Sequence, residues 1–188
     1  MILRTERLLL REIAEDDWSA VLAYQRHPHF SPYYEWTERT EADVRRFLQQ
    51  FLEWQQQEPR SKYTFAITLR GEMIGITSLR RPSADSPSAE TGYEISPEHW
   101  GRGYATEAAG ALLAFGFGEL GLHRISAHCV AENVTSARVL EKLGMRCEGR
   151  LRENEFFKER WWDTLIYGIL AREWSPQAGS SAHGDRGV

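Results

Sequence analysis

The chain has 188 residues, a formal net charge of −4 and a hydrophobic content of 41%. This length and composition suit one globular domain with a buried core, which argues against a disordered protein. The 23 basic residues, 20 arginines and 3 lysines, form no dense basic run, so we expect no nucleic-acid partner. The first residues carry several charges, and no later run is long and apolar enough to cross a bilayer. We therefore expect a cytoplasmic protein with no membrane partner.

Strands and helices are predicted to alternate along the chain, from hydrophobic periodicity and turn residues. In chain order the predicted elements are a strand at 7–13, a helix at 15–25, a helix that begins after Thr40, strands at 63–69, 72–79 and 90–96, a helix at 104–120, a strand at 123–130, a helix at 133–144, and strands at 145–157 and 161–170. This order indicates a mixed sheet. Residues 175–188 offer little to bury and are predicted to be a disordered tail, which leaves 1–174 as the single domain.

The helix after Thr40 has the clearest amphipathic pattern. Thr40 is a good N-cap residue, and apolar side chains follow at i, i+3, i+4 and i+7. These predicted buried residues are Val44, Phe47, Leu48 and Phe51. The preceding loop, 27–36, is rich in aromatic residues.

The two cysteines, Cys129 and Cys147, form no CxxC pair and have no metal-ligand spacing with the six histidines. We expect free, mostly buried thiols, because unpaired cysteine behaves as a small hydrophobic residue. His123 and His128 lie in a strand pattern and are interpreted as structural. No metal site is predicted.

The stretch WGRGYAT, residues 100–106, lies between a predicted strand and a predicted helix. A glycine turn at a helix N-terminus binds anions through backbone NH groups and the positive end of the helix dipole. It lacks the lysine and hydroxyl residue of a P-loop, so nothing here places Mg²⁺. A second glycine pattern, GFGELG at 116–121, lies at the end of a predicted helix and is interpreted as a helix stop rather than a dinucleotide site.

Three stretches in this order, GYEISPEHWGRGYATEA, NVTSARVLEKLGM and EGRLRENEFFKERWWDTLIYGIL, resemble the GNAT superfamily of acetyl-CoA-dependent N-acetyltransferases. The pattern is most similar to the RimJ/RimL type, which acetylates N-terminal amines of ribosomal proteins. The resemblance implies an α/β GNAT fold: a central mixed, mostly antiparallel sheet with a splayed strand pair, flanked by helices. It also implies acetyl-CoA as cosubstrate, an amine acceptor, no metal, and a monomer or homodimer.

The resemblance also assigns the cofactor-binding residues. The phosphate loop of the family corresponds to Trp100, Gly101, Arg102, Gly103, Tyr104, Ala105 and Thr106. Trp100 replaces the usual polar residue, but a loop that acts through backbone NH groups should still bind pyrophosphate. The splayed strand, whose backbone pairs with pantetheine, corresponds to Tyr93, Glu94 and Ile95. Asn133 is expected to contact pantetheine, to cap a helix, or both, and Arg138 is suitably placed for an adenosine phosphate.

Acetyl transfer to an amine needs a group that takes the amine proton and one that protonates the leaving thiolate. Many GNAT enzymes use a tyrosine as the acid, but Leu140 stands at its expected position here. The resemblance to the RimJ/RimL type, which has a serine three residues after the asparagine, makes Ser136 the candidate acid, with a plain first-turn helix serine as the alternative. The resemblance makes Glu155 the favoured base, because it matches a glutamate that the ribosomal-protein acetyltransferases present to the amine; the alternative is one charge in a solvated run. Glu94 is its rival, and ordered water is the third alternative.

The acceptor is predicted to be a protein or peptide N-terminal amine. The alternatives are a polyamine or antibiotic amine, or a module that binds acetyl-CoA without catalysis. The aromatic candidates for the acceptor site, which are equally compatible with loop packing, are Tyr33, Tyr34, Trp36, Phe156 and Trp161.

Overall fold

The computed structural model describes residues 1–175, so residues 176–188 of the predicted tail lie outside it. The strands of this part are β1 (Ile2–Arg4), β2 (Leu9–Glu12), β3 (Lys62–Leu69), β4 (Glu72–Arg80), β5 (Ser88–Ile95), β6 (Arg124–Val130), β7 (Arg146–Phe157) and β8 (Arg160–Leu170). The α-helices are α1 (Trp18–Gln25), α2 (Glu41–Gln55), α3 (Tyr104–Gly118) and α4 (Val134–Lys142). None of these helices, within residues 1–175, has the length and apolar character to cross a membrane.

All eight strands of the described chain join one sheet, in the order β1-β2-β3-β4-β5-β6-β8-β7. Every neighbouring pair is antiparallel except β5 and β6, so the predicted mixed sheet is confirmed. The parallel pairing of β5 with β6 runs only from Ser88 opposite Arg124 to Glu90 opposite Ser126. Residues 91–95 then pair with β4 alone, so the sheet opens into a wedge between β5 and β6. This is the splayed pair that the sequence predicts.

The helices cover both faces of the sheet, as the alternation along β3 shows. Phe65 and Ile67 join the core that contains α3 and α4, whereas Ala66 between them joins the core that contains α1 and α2. Successive strand residues point to opposite faces, so two separate cores are expected on either side of one sheet. The alanine-rich α3 packs closely on its face, with Ala108 completely buried.

The predicted start of α2 is confirmed in detail. The Thr40 hydroxyl accepts a hydrogen bond from the Asp43 NH (3.3 Å), and the Asp43 carboxylate accepts one from the Thr40 NH (3.0 Å). Of the predicted stripe, Val44, Leu48 and Phe51 are buried. Phe47 is half-buried, with the Arg39 guanidinium 4.7 Å above its ring.

Both cysteines are free, and Cys129 is buried as expected. Cys147 is exposed, so the expectation of a buried thiol is wrong there. The reason is its position on β7, which is the edge strand of the sheet and is exposed along most of its length.

Candidate active site

The glycine-rich loop forms a tight turn into α3. Gly101 and Gly103 have φ values of 74° and 81°, which non-glycine residues rarely adopt, and Gly103 is the N-cap of the helix. In the described part of the chain, the backbone NH groups of residues 101–106 have no protein acceptor. The helix dipole adds positive potential at the same place, so the loop is suited to bind an anion.

Trp100 ties this loop to the end of β5. Its indole NH donates to the Ile95 carbonyl at 2.7 Å, although its side chain is 45% exposed. The tryptophan at this slot therefore fixes the geometry of the turn through its own hydrogen bond and leaves the loop NH groups free.

A cleft of about 370 Å³ lies where β5 and β6 separate. It is lined by the loop after α1, by β5, by the start of α3 and by α4. The lining residues are His29, Phe30, Pro32, Tyr33, Tyr34, Tyr93, Glu94, Ile95, Trp100, Ala105, Asn133, Thr135, Ser136 and Val139. Glu94 is the one carboxylate among these described residues.

Two hydroxyl groups meet in the cleft. The Tyr93 hydroxyl lies 3.0 Å from Ser136 Oγ and 3.1 Å from the Ser136 carbonyl oxygen. Burial raises the pKa of Tyr93 above its usual value, so the phenol stays protonated at neutral pH and can donate to the serine. The Ser136 NH donates to Asn133 Oδ1 at 3.1 Å, so Asn133 caps α4 and also lines the cleft.

Glu94 is held by hydrogen bonds from α1. Its Oε1 accepts from the Tyr24 hydroxyl at 2.5 Å and from Gln25 Nε2 at 3.1 Å. Arg39 Nη1 donates to Gln25 Oε1 at 3.2 Å, which directs the NH₂ group of that amide toward Glu94. Burial raises the pKa of Glu94, against the lowering effect of the hydrogen bonds from Tyr24 and Gln25 and of the charge on Arg39. A carboxyl with a raised pKa in a cleft is better matched to proton transfer near neutral pH.

Residues 7–146 match the family model described as the acetyltransferase (GNAT) domain. This chain belongs to the GNAT acetyltransferase family. It is 35% identical to the uncharacterized N-acetyltransferase YnaD of Bacillus subtilis over 177 residues, which is 93% of this chain and 100% of that protein. It is therefore an N-acetyltransferase, an acyltransferase.

Two further relatives of this GNAT enzyme are named as different kinds of acetyltransferase. The structure of Mycobacterium smegmatis RimJ in complex with CoA-disulfide superposes with a TM-score of 0.77 at 28% identity, covering 94% of this chain and 88% of that one. Spermidine N(1)-acetyltransferase of Vibrio cholerae is 34% identical over 98 residues, 52% of this chain and 57% of that protein.

Other predicted residues of this GNAT domain do not line the cleft. Glu155 is exposed on β7, where its Oε1 accepts a hydrogen bond from the Thr164 hydroxyl at 3.0 Å. Phe156 and Trp161 are exposed at the β7–β8 turn, with ring centroids 5.1 Å apart. Arg138 is exposed on α4.

The aromatic residues of the loop after α1 differ in whether they line the cleft. Tyr33 and Tyr34 line the cleft, whereas Trp36 stacks on Tyr34 behind it at 5.0 Å. Sequence reasoning missed Tyr24 and Gln25, which bond to a glutamate about 70 positions away. The one available signal was two hydrogen-bonding side chains at the end of an otherwise apolar helix.

Proposed function

We propose that this acetyltransferase transfers the acetyl group of acetyl-CoA to the N-terminal amine of a protein or peptide. The observation that carries the proposal is the cleft, because Trp100 and Ala105, on either side of the glycine turn, line it together with the single carboxylate Glu94. Diphosphate would bind at residues 101–106 and pantetheine along the free edge of β5. The likeness to RimJ, a structure with CoA-disulfide, supports this cosubstrate.

The charge of the cleft favours an acceptor with one amine. A polyamine brings two or more ammonium groups, and each buried charge is costly unless a counter-charge pairs with it. Among the described lining residues Glu94 is the one carboxylate, which matches one ammonium group. The aromatic side chains around it, including Phe30 and Tyr34, offer surface for an apolar or backbone portion of a peptide.

We assign the base role to Glu94, with Glu155 as the second candidate. Acetyl-CoA supplies the electrophilic thioester carbonyl; the amine nitrogen attacks it, the C–N bond forms and the C–S bond breaks. Glu94 lines the cleft and takes the proton that the amine loses. A free peptide N-terminus has a pKa near 7.7–8.0 and needs less help from a base than a lysine-type amine near 10.4, and the raised pKa of Glu94 makes it the better proton acceptor.

Ser136 is assigned the role of hydrogen donor to the departing sulfur. Leu140, at the position of the usual tyrosine, is 1% exposed and packs in the core, so it presents no group to the cleft. The Tyr93 hydroxyl donates to the Ser136 carbonyl oxygen and lies 3.0 Å from Ser136 Oγ, so it holds the serine hydroxyl in place at the cleft.

An acetyl-transfer screen tests the proposal by measuring free thiol release from acetyl-CoA. Matched peptides carry a free N-terminus without lysine, or a blocked N-terminus with one lysine, and spermidine and an aminoglycoside are run beside them. We expect turnover of the free N-terminus and little turnover of the blocked peptide. Preferred turnover of spermidine would assign the enzyme to the polyamine class that the Vibrio cholerae relative represents. If none of these amines leads to thiol release, the result would favour a module that binds acetyl-CoA without catalysis.

A further inference from the structure

Residues at the beginning of the chain contact the phosphate loop closely, although about 100 positions separate them. Arg7 Nε donates to Glu107 Oε2 at 2.7 Å, and Arg7 Nη2 lies 2.6 Å from the same oxygen. Arg7 Nη1 donates to the Arg102 carbonyl oxygen at 3.0 Å. The guanidinium also lies 4.6 Å from the centroid of the Tyr104 ring. One arginine therefore contacts the loop and the first turn of α3 together.

The second carboxylate oxygen of Glu107 is held by the same segment. Its Oε1 accepts from the Thr5 hydroxyl at 2.5 Å and from the Arg7 NH at 2.8 Å. Burial alone would raise the pKa of Glu107, but the hydrogen bonds from Thr5 and Arg7 outweigh it and lower the pKa. Glu107 is consequently an anion at neutral pH.

A negative charge at this position opposes the binding of an anion. The Glu107 NH makes the first hydrogen bond of α3, to the Gly103 carbonyl at 3.0 Å, so its carboxylate lies one turn from the loop NH groups. An unpaired carboxylate there would repel a diphosphate, and an Arg102 carbonyl turned toward the ligand would do the same. Arg7 forms an ion pair with the Glu107 carboxylate and also donates a hydrogen bond to the Arg102 carbonyl oxygen.

We propose that Arg7 is a positioning residue for the diphosphate of the cosubstrate: it neutralises Glu107 and holds the Arg102 carbonyl so that the loop NH groups remain available to the anion. Its Nε, Nη1 and Nη2 atoms each contact a protein oxygen, so most of its hydrogen-bonding capacity is used within the protein. The inference rests on the proposed use of acetyl-CoA. It is independent of the acceptor and of the base.

The test compares CoA with pantetheine, which lacks the diphosphate and the nucleotide. We expect Arg7→Ala to weaken CoA binding about tenfold or more in calorimetry. Pantetheine binding, followed by NMR titration, should change less than about twofold, because that ligand does not reach the loop. Arg4→Ala is the matched control: it removes the same charge from an exposed residue of the same segment and should leave both affinities unchanged.

A double variant tests the mechanism. Removal of the Glu107 charge in Arg7→Ala/Glu107→Gln should recover a substantial part of the lost CoA affinity, because the unpaired carboxylate is gone. No recovery would overturn the neutralising role, and equal losses for CoA and pantetheine would indicate general distortion and overturn it as well. If Arg7→Ala does not fold, Thr5→Val provides a milder perturbation, because it removes one hydrogen bond to Glu107 and keeps Arg7. We expect a smaller loss of CoA affinity for this variant.

The outcomes also separate this inference from the proposed function. Wild-type protein that binds no CoA would refute the use of acetyl-CoA. Wild-type protein that binds CoA, beside an Arg7→Ala variant of equal affinity, would refute the role of Arg7 alone.

Discussion

Replacement of Gly103 by valine tests the phosphate loop directly. Gly103 has φ 81° and ψ 1° at the N-cap of α3, a left-handed conformation that costs an L-residue about 1–2 kcal/mol. Valine is stiff at χ1 as well, because two heavy atoms branch from its Cβ. A Cβ atom at this position would lie 3.4 Å from Arg7 Nη2, so the valine methyl groups also displace the guanidinium.

The strain can be relieved in two ways, and each has a measurable cost. If φ keeps its positive value, the protein loses about 1–2 kcal/mol of stability. If φ changes sign, the peptide planes on either side of residue 103 rotate, and the loop NH groups no longer converge on one anion. We expect the second effect, together with displacement of Arg7, to weaken CoA binding more than about tenfold, which is about 1.4 kcal/mol.

Calorimetry with CoA measures the affinity, and thermal unfolding checks that the variant is folded. Gly121→Val is the control, because Gly121 also has a positive φ, 62°, and no atom lies within 4 Å of its Cβ position at the far end of α3. It should lose stability and keep its CoA affinity. A folded Gly103→Val protein with wild-type affinity for CoA would refute the assignment of this loop.

The remaining predictions concern the chemistry of the cleft. Ser136→Ala should lower kcat about 10²-fold with little change in CoA affinity. Tyr93→Phe should lower kcat less, and adding it to Ser136→Ala should lower kcat little further. Wild-type turnover in Ser136→Ala would leave Ser136 as a helix residue only. Glu94→Gln should lower the rate at neutral pH about 10²-fold or more and shift the pH–rate profile to higher pH, while Glu155→Gln should leave that profile unchanged. The reverse pattern would assign the base to Glu155. An unchanged profile in both variants would indicate water as the base. Because folding raises the pKa of Glu94, the wild-type protein should lose stability as the pH rises from the usual carboxyl range through the raised pKa. The free energy of unfolding of Glu94→Gln should depend less on pH and should be greater at pH 8. Identical denaturation profiles for the two proteins across this pH range would contradict the prediction.

Features encoded by neighbouring residues could be predicted from the sequence. The Thr40 cap and the buried stripe of α2 depend on positions within about three turns, and both are present. The glycine turn into α3 is equally local, since a strand, two glycines and a helix start follow one another along the chain. The strand predicted at 7–13 is shorter in the structure, where β2 spans Leu9–Glu12. The strand β1 was not predicted, because it has three residues and its pairing with β2 depends on the sheet rather than on its own pattern.

Partners that come from distant parts of the chain could not be predicted. Glu94 receives its hydrogen bonds from α1, about 70 residues earlier, and Arg7 reaches Glu107 across about 100 residues. The direction of Glu155 is a different case. The pairing of β7 with β8 shifts between Leu151 and Glu155, and Glu153 has φ 49°, so simple alternation along the strand does not tell which way a later side chain points.

The burial of Leu140 supports the proposal that Ser136 is the hydrogen donor to the departing sulfur. A leucine on the inner face of α4 contributes to the core and offers no proton, so a hydroxyl for the sulfur must come from a residue that faces the wedge. Ser136 is one helical turn earlier and lines the cleft. Its short side chain would be a poorly directed donor alone, but Tyr93 approaches it from β5, the opposite wall. A tyrosine on the strand and a serine on the helix thus bring two hydroxyl groups together in the cleft.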